Sequence, residues 1–395
     1  MRRLKSGWFG LWFFVLVMGL GSGWRSAAAD EDAARIKQSL VNPGDTARVQ
    51  QALAKARRGE EVTVAVIGGS ITQGAKATKP ENRYGNLIAD WWQKTFPKAK
   101  IKFVNAGIGA TGSNYGALRA RRDLLAQEPD FVVVEYAVND GSLQAAAETL
   151  EGLVRQILTQ KNQPSVVLLF MMNQSGGNAQ EWHGKVGTHY RLPMVSFRDA
   201  LWPEIKAGKL KWEDVEADQV HPNDRGHAFA ARCVTAMLDD LLKALPADAQ
   251  LPAIQTAPAP LFSDLFQHTA LFEAEALKPA SNQGWAYDAK IKGWKSEQPG
   301  STIEFEIEGR VLYSMHFVVR GAMGKARVTV DGNAAKELNG WFDQTWGGYR
   351  QSNEILRQPE SGKHRVRFEL LADKSPDSTG HSFRILGLGA AGIGP

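Results

Sequence analysis

The sequence predicts an α/β protein with a doubly wound, parallel five-stranded sheet between helices, followed by an antiparallel β-sandwich. Between Glu61 and about Leu245, short apolar runs alternate with amphipathic helical stretches. Apolar runs this short and this complete suit strands buried on both faces, the signature of a parallel sheet covered by helices. Beyond Leu261 the pattern changes to alternating apolar and polar residues, the period of strands with one face buried.

The elements follow in order along the 395 residues. Arg2, Arg3 and Lys5 precede an apolar run from Trp8 to Leu20 and then Ala27-Ala28-Ala29. A basic start, a short apolar core and a small-residue end spell a secretory signal peptide over residues 1–29. The run is broken by Gly10 and falls short of the ~20 residues a membrane span needs. Secretion or periplasmic export is therefore expected, with no stable membrane insertion after cleavage. Residues 31–58 read as one or two helices. Strands are expected over 62–67, 101–105, 131–135, 165–170 and 193–197. Helices are expected over 84–95, 114–127, 143–159, 177–190 and 226–245. Residues 30–245 form the expected catalytic domain. Residues 246–262, with Pro246, Pro252, Pro258 and Pro260, form a linker or a wrap-around segment. The sandwich takes residues 263–395, with strands over 301–307, 311–318, 326–330 and 364–370 and a tight turn at Asp331-Gly332.

Charge and cysteine content exclude several classes. The formal net charge of +5 drops by four when Arg2, Arg3, Lys5 and Arg25 leave with the signal peptide. No Lys/Arg stripe remains, so nucleic acid is not an expected partner. The single cysteine, Cys233, forbids an internal disulfide and reads as a core residue. Oligomeric state is left open.

In open α/β sheets, ligands bind at the carboxyl ends of the strands. Ser70 stands there, after Val64-Ala65-Val66-Ile67-Gly68-Gly69, where two glycines permit a sharp turn and close approach of a substrate. Asp218 precedes His221 by three residues in Asp218-Gln219-Val220-His221-Pro222-Asn223. Ser, His and Asp are the parts of a nucleophilic triad: the His takes the Ser proton and the Asp orients and stabilises the imidazolium. This points to an ester-cleaving enzyme. The turn Asn105-Ala106-Gly107-Ile108-Gly109-Ala110-Thr111-Gly112-Ser113 can offer backbone N–H groups. Glu135-Tyr136-Ala137-Val138-Asn139-Asp140 can offer an amide, and both are donors that a tetrahedral oxyanion needs. A tight turn and a helix cap are the plain alternatives for the same residues.

Taken in order, these four blocks resemble the SGNH/GDSL hydrolase family, whose fold is flavodoxin-like. The resemblance implies Ser70 as nucleophile, His221 as general base and Asp218 as its partner. It also implies an oxyanion hole made by the Ser70 N–H, the Ala110 N–H and the Asn139 side chain, with Gly109 as the reserve donor. No metal and no organic cofactor is implied. Three departures stand out. The common Gly-Asp-Ser reads Gly68-Gly69-Ser70, the oxyanion glycine falls on Ala110, and Gly-x-Asn-Asp reads Ala137-Val138-Asn139-Asp140. Within the family, Gly-Gly-Ser-Ile-Thr with an added sandwich is similar to enzymes that deacetylate polysaccharides. The expected partner is thus an acetylated carbohydrate or polysaccharide. An acetyltransferase and a broad short-chain esterase or lipase are the alternatives within the class.

Other readings compete. Gly107-Ile108-Gly109-Ala110-Thr111-Gly112 fits Gly-x-Gly-x-x-Gly between a strand and a helix, with Glu135 near the place of a ribose-binding acid. A dinucleotide-binding protein would follow from that alone. Trp285, Trp294, Trp341, Trp346 and Tyr349 suit either a sandwich core or the flat faces of sugars, which would make a carbohydrate-binding protein with a vestigial site. Arg350, His381 and Arg384 are equally open. His183, His189 and His227 read as structural or rim residues.

Overall fold

The computed structural model describes residues 31–246 and 250–394. The signal peptide expected over 1–29 lies outside the described residues. A helical stretch over 31–38 (α1) leads to a short strand, Leu40–Asn42 (β1), and helix Ala47–Arg57 (α2). Then follow Val62–Gly68 (β2), Ser70–Gln73 (α3), Tyr84–Thr95 (α4), Ile101–Gly107 (β3) and Ser113–Asp123 (α5). Phe131–Glu135 (β4), Gln144–Leu158 (α6), Ser165–Phe170 (β5) and Gln180–His189 (α7) continue the alternation. Met194–Ser196 (β6), Phe197–Lys206 (α8) and Asp224–Ala244 (α9) complete it.

Strands β2 to β6 are parallel, in the order β6-β5-β4-β2-β3. Strand β1 adds a sixth, antiparallel to β6, where five strands were expected. Its three residues are too few to carry a period, and its carbonyls and amides are paired only because β6 presents a free edge. Alternation across the sheet divides the core. Val62, Val64 and Val66 face Trp92 and Val234 of α4 and α9, while Ala65 and Ile67 face Leu118 and Leu153 of α5 and α6.

The C-terminal strands are Thr269–Glu273 (β7), Ser281–Gln283 (β8), Ala286–Asp288 (β9), Gly293–Ser296 (β10) and Thr302–Val318 (β11). Lys325–Val330 (β12), Asn333–Asn339 (β13), Tyr349–Leu370 (β14) and Phe383–Ala391 (β15) follow. All of their pairings within this nine-stranded sheet are antiparallel. The two runs expected over 301–307 and 311–318 are halves of the single strand β11. Its register against β14 shifts between Gly309 and Val311, and the phase of its packing changes there: Ile303, Phe305 and Ile307 join the sandwich core, whereas Val311, Tyr313 and Met315 join the layer against the helices. Asp331 and Gly332 both take positive φ, 50° and 80°, in the expected tight turn.

The sandwich shares a core with the α/β part. On β11, Leu312 points into the sandwich, whereas Val311, Tyr313 and Met315 pack with Leu118, Leu150 and Phe266 against α5 and α6. Phe266 is fully buried, and a Cβ on Gly152 of α6 would overlap it. The connecting chain is fastened too. The buried Glu151 carboxylate accepts the backbone N–H groups of Phe262 (2.8 Å) and Ser263 (3.1 Å), and Arg155 donates to the Pro258 carbonyl (2.8 Å).

Because one apolar layer serves both parts, Phe266→Ala should cost about 3–5 kcal/mol by opening a cavity. Urea unfolding followed by far-UV and Trp signals should shift as a single transition for the whole chain. Unfolding of the sandwich alone, with α/β signals unmoved, would contradict the shared core.

Candidate active site

Strand β2 is buried along its whole length and delivers Ser70 as the first residue of α3, at the carboxyl edge of the sheet. The two glycines before it are dictated by crowding. A Cβ on Gly68 would run into Thr72 and the Glu135 carbonyl, and one on Gly69 would overlap Asn139 Oδ1. A side chain at position 69, where the family carries the acid of Gly-Asp-Ser, would require the Asn139 amide to shift.

His221 arrives from the loop ahead of α9. Its Nε2 lies 2.9 Å from Ser70 Oγ across 151 positions of sequence, and its Nδ1 lies 2.9 Å from Asp218 Oδ2. Asp218 Oδ1 also accepts the N–H groups of Val220 (3.0 Å) and His221 (2.9 Å), and Trp212 Nε1 donates to its carbonyl (2.7 Å). Partial burial pushes the Asp218 carboxyl up, but these hydrogen bonds outweigh it and hold the group below the usual carboxylate range. An ionised Asp218 fixes Nδ1–H on the ring and leaves Nε2 as the acceptor facing Ser70. Asn223, two residues on, caps α9 by accepting the Gly226 N–H at 3.0 Å, which anchors the loop.

The donors expected for the oxyanion hole differ in whether they are already bonded. The Gly109 N–H is occupied by Gln73 Oε1 at 3.0 Å, which removes the reserve donor. The N–H groups of Ser70 and Ala110 and the Asn139 Nδ2 have no protein acceptor among the described residues. Ala110 takes φ 56°, the left-handed region that glycine enters freely and alanine enters at a cost of roughly 1–2 kcal/mol. The glycine-like register assigned to Ala110 from sequence is therefore visible in its backbone.

A cleft of about 380 Å³ is lined by Ala110, Asn139 and Asp140 on the α/β side and by Tyr313, Tyr349 and Arg350 of the sandwich. Arg350 Nη1 is held by Glu273 Oε2 at 2.8 Å, and its guanidinium stacks 5.3 Å from the Tyr115 ring centre. The aromatic residues differ in exposure. Trp285 and Trp294 pack in the sandwich core, whereas Trp346 is 60% exposed and meets Phe342 and Tyr349 at ring distances of 5.0 and 5.4 Å. Phe342 gave no signal of its own in the sequence. His381 Nε2–H donates to the Ala372 carbonyl at 3.0 Å, and Arg384 covers the Phe317 ring. His227 is buried in α9 against the Ala75 carbonyl (3.1 Å), and Cys233 is buried in the core.

The dinucleotide reading meets an occupied site. The Ser113 N–H at the start of α5 is taken by Asp140 Oδ1 at 2.8 Å, where a pyrophosphate would have to bind. Glu135 is fully buried and cannot reach a ribose. Among the described residues, no three His, Cys, Asp or Glu side chains are grouped closely enough to hold a metal.

Residues 66–229 match the model of the GDSL-like lipase/acylhydrolase family. A crystal structure of a two-domain esterase active on acetylated mannans, co-crystallized with mannopentaose, is 33% identical with a TM-score of 0.83. The match covers 91% of this chain and 98% of that one. Thioesterase 1/protease 1/lysophospholipase L1 of Escherichia coli (strain K12) is 24% identical over 188 residues, 46% of this chain and 85% of that protein. The fold and these likenesses define a carboxylic ester hydrolase. The chain belongs to the GDSL-like lipase/acylhydrolase family.

Two buried carboxyls border the site. Burial, aided by the Asp140 charge, pushes Glu135 up to about 8, and burial with the Asp218 charge pushes Glu216 up to about 9. Both keep a proton in the fold at pH values where the unfolded chain, titrating near 4.5, has lost it. The folded state then binds more protons, so their contribution to stability declines as pH rises from there toward the folded values. Glu216→Gln should flatten that decline, seen as denaturation midpoints that differ less between about pH 5 and about pH 8.5 than in the wild type. An unchanged pH slope would contradict a neutral Glu216.

Proposed function

We propose that the protein is an exported serine esterase that removes O-acetyl groups from a carbohydrate through an acyl-enzyme intermediate. The observation that carries this is the hydrogen-bonded line Asp218–His221–Ser70. Ser70 Oγ attacks the acetyl carbonyl carbon while its proton passes to His221 Nε2. Negative charge collects on the former carbonyl oxygen, within reach of the Ser70 and Ala110 N–H groups and the Asn139 amide. Asp218 stabilises the imidazolium. As the C–O bond to the sugar breaks, His221 returns its proton to the departing hydroxyl, leaving acetyl-Ser70. Water then attacks with His221 again as base, and acetate leaves with Ser70 reprotonated.

The carbohydrate part rests on the likeness to the esterase active on acetylated mannans and on the exposed rings of Trp346, Phe342 and Tyr349. Tyr349 lines the cleft and contacts the Phe342 and Trp346 rings. Flat aromatic faces match the apolar faces of pyranose rings. Export rests on the basic, apolar and small-residue order of residues 1–29. The division into a catalytic part (30–245), a connecting segment (246–262) and a sandwich (263–395) belongs to the same proposal.

Ser70→Ala should lower acetate release from acetylated mannan and from a chromogenic acetyl ester by about 10⁴-fold or more. Retained turnover would overturn the serine mechanism. Trp346→Ala should raise KM for the acetylated polysaccharide several-fold and leave the small ester unaffected. Equal loss on both substrates would contradict a sugar-binding role for the ring cluster.

A further inference from the structure

The two oxyanion donors contributed by loops ride on separate segments, Ala110 on the turn after β3 and Asn139 on the turn after β4. Asp140, next to Asn139, joins them. Its Oδ1 accepts the Ser113 N–H at 2.8 Å, three residues beyond Ala110, and its Oδ2 pairs with His183 Nε2 at 3.0 Å. The two side chains are 5% and 2% exposed. The loops are in close contact here, since a Cβ on Gly112 would come within 2.6 Å of Asp140 Oδ1.

The fixed points behind this junction are rigid. Asn139 and Asp140 both donate backbone N–H groups to the Tyr136 carbonyl, at 3.1 and 2.9 Å. The Ala179 N–H, ahead of α7, donates to the Ala137 carbonyl at 2.8 Å, so the helix carrying His183 is tied to the Asn139 turn as well. On the other side, the Ser113 hydroxyl meets Thr149 Oγ1 at 2.5 Å at the start of α6. Asp140 is thus the one side chain named here that bonds to both the Ala110 segment and α7 while adjoining Asn139 in sequence.

We infer that the Asp140–His183 pair is a clamp that sets the separation of the Ala110 N–H and the Asn139 amide, with Asp140 as a positioning residue of the oxyanion hole. Neither side chain touches the reacting atoms. A mere helix cap would affect stability; a clamp affects the transition state, because donors must meet the oxyanion and not the ground-state carbonyl. The inference rests on the Ser70-centred reaction proposed above.

The test deletes the bond from its donor side. Ser113→Pro removes the N–H at the first position of α5, where proline is tolerated, and Ser113→Ala removes only the hydroxyl. On a chromogenic acetyl ester, Ser113→Pro should lower kcat about tenfold or more relative to Ser113→Ala, with KM unchanged. Asp140→Ala should act in the same direction by about 10²-fold, and Asp140→Asn, which keeps an acceptor for Ser113, should recover most of that loss. Ser70→Ala runs alongside: if it stays active, the Ser70 reading itself fails and the clamp with it. If Ser70→Ala is inactive while Ser113→Pro matches Ser113→Ala in kcat, the clamp alone is overturned. Folding is checked by thermal melts, and a Ser113→Pro protein that melts like Ser113→Ala but turns over more slowly supports the clamp.

Discussion

The hydrogen bond between His221 Nε2 and Ser70 Oγ joins the start of α3 to the loop ahead of α9 at the carboxyl edge of one sheet, 2.9 Å apart in space and 151 positions apart in sequence. Everything around it serves to hold that distance. Strand β2 is clamped between β3 and β4, so Ser70 cannot shift along the sheet. The His221 loop is pinned by the Asp218 carboxylate, which bonds the ring and two backbone N–H groups, and by the Asn223 cap of α9. A relay of this kind depends on a fixed tautomer and a short path for one proton, and both depend on Asp218 staying ionised.

The second constraint is the layer shared between the sandwich and helices α5 and α6. It brings Tyr313, Tyr349 and Arg350 over the cleft that begins at Ala110 and Asn139. The sandwich is therefore one wall of the cleft that contains Ala110 and Asn139. Tyr313 of β11 belongs to the apolar face that packs on the helices and also lines this cleft, beside Tyr349 and Arg350 of β14.

Much of this was legible in the residues. Strands such as β4 and helices such as α4 are read directly, because complete burial and a full amphipathic period leave a pattern over five to twelve residues. Ser70, Asp218, His221 and Asn139 stand out because each follows a strand end or a short motif. Strand β1 was not legible, since its three residues exist as a strand only through pairing with β6. Helix α8 was hidden by Pro203 inside it. The unity of β11 was hidden by the register shift between Gly309 and Val311, which sequence alternation reads as a break between two strands. The Asp140–His183 pair was missed for a different reason: its members lie 43 positions apart on a loop and a helix, with no spacing to mark them. The aromatic residues of the sandwich needed the fold to separate buried Trp285 from exposed Trp346.

Covalent trapping tests the central claim most directly. The wild-type protein and His221→Ala are mixed with a phosphonate ester that mimics the tetrahedral intermediate, and the digested peptides are weighed by mass spectrometry. The account predicts one adduct, on the peptide containing Ser70, that forms quickly in the wild type and orders of magnitude more slowly without the imidazole. An adduct on a different residue, or equal labelling of Ser70 in both proteins, would contradict it.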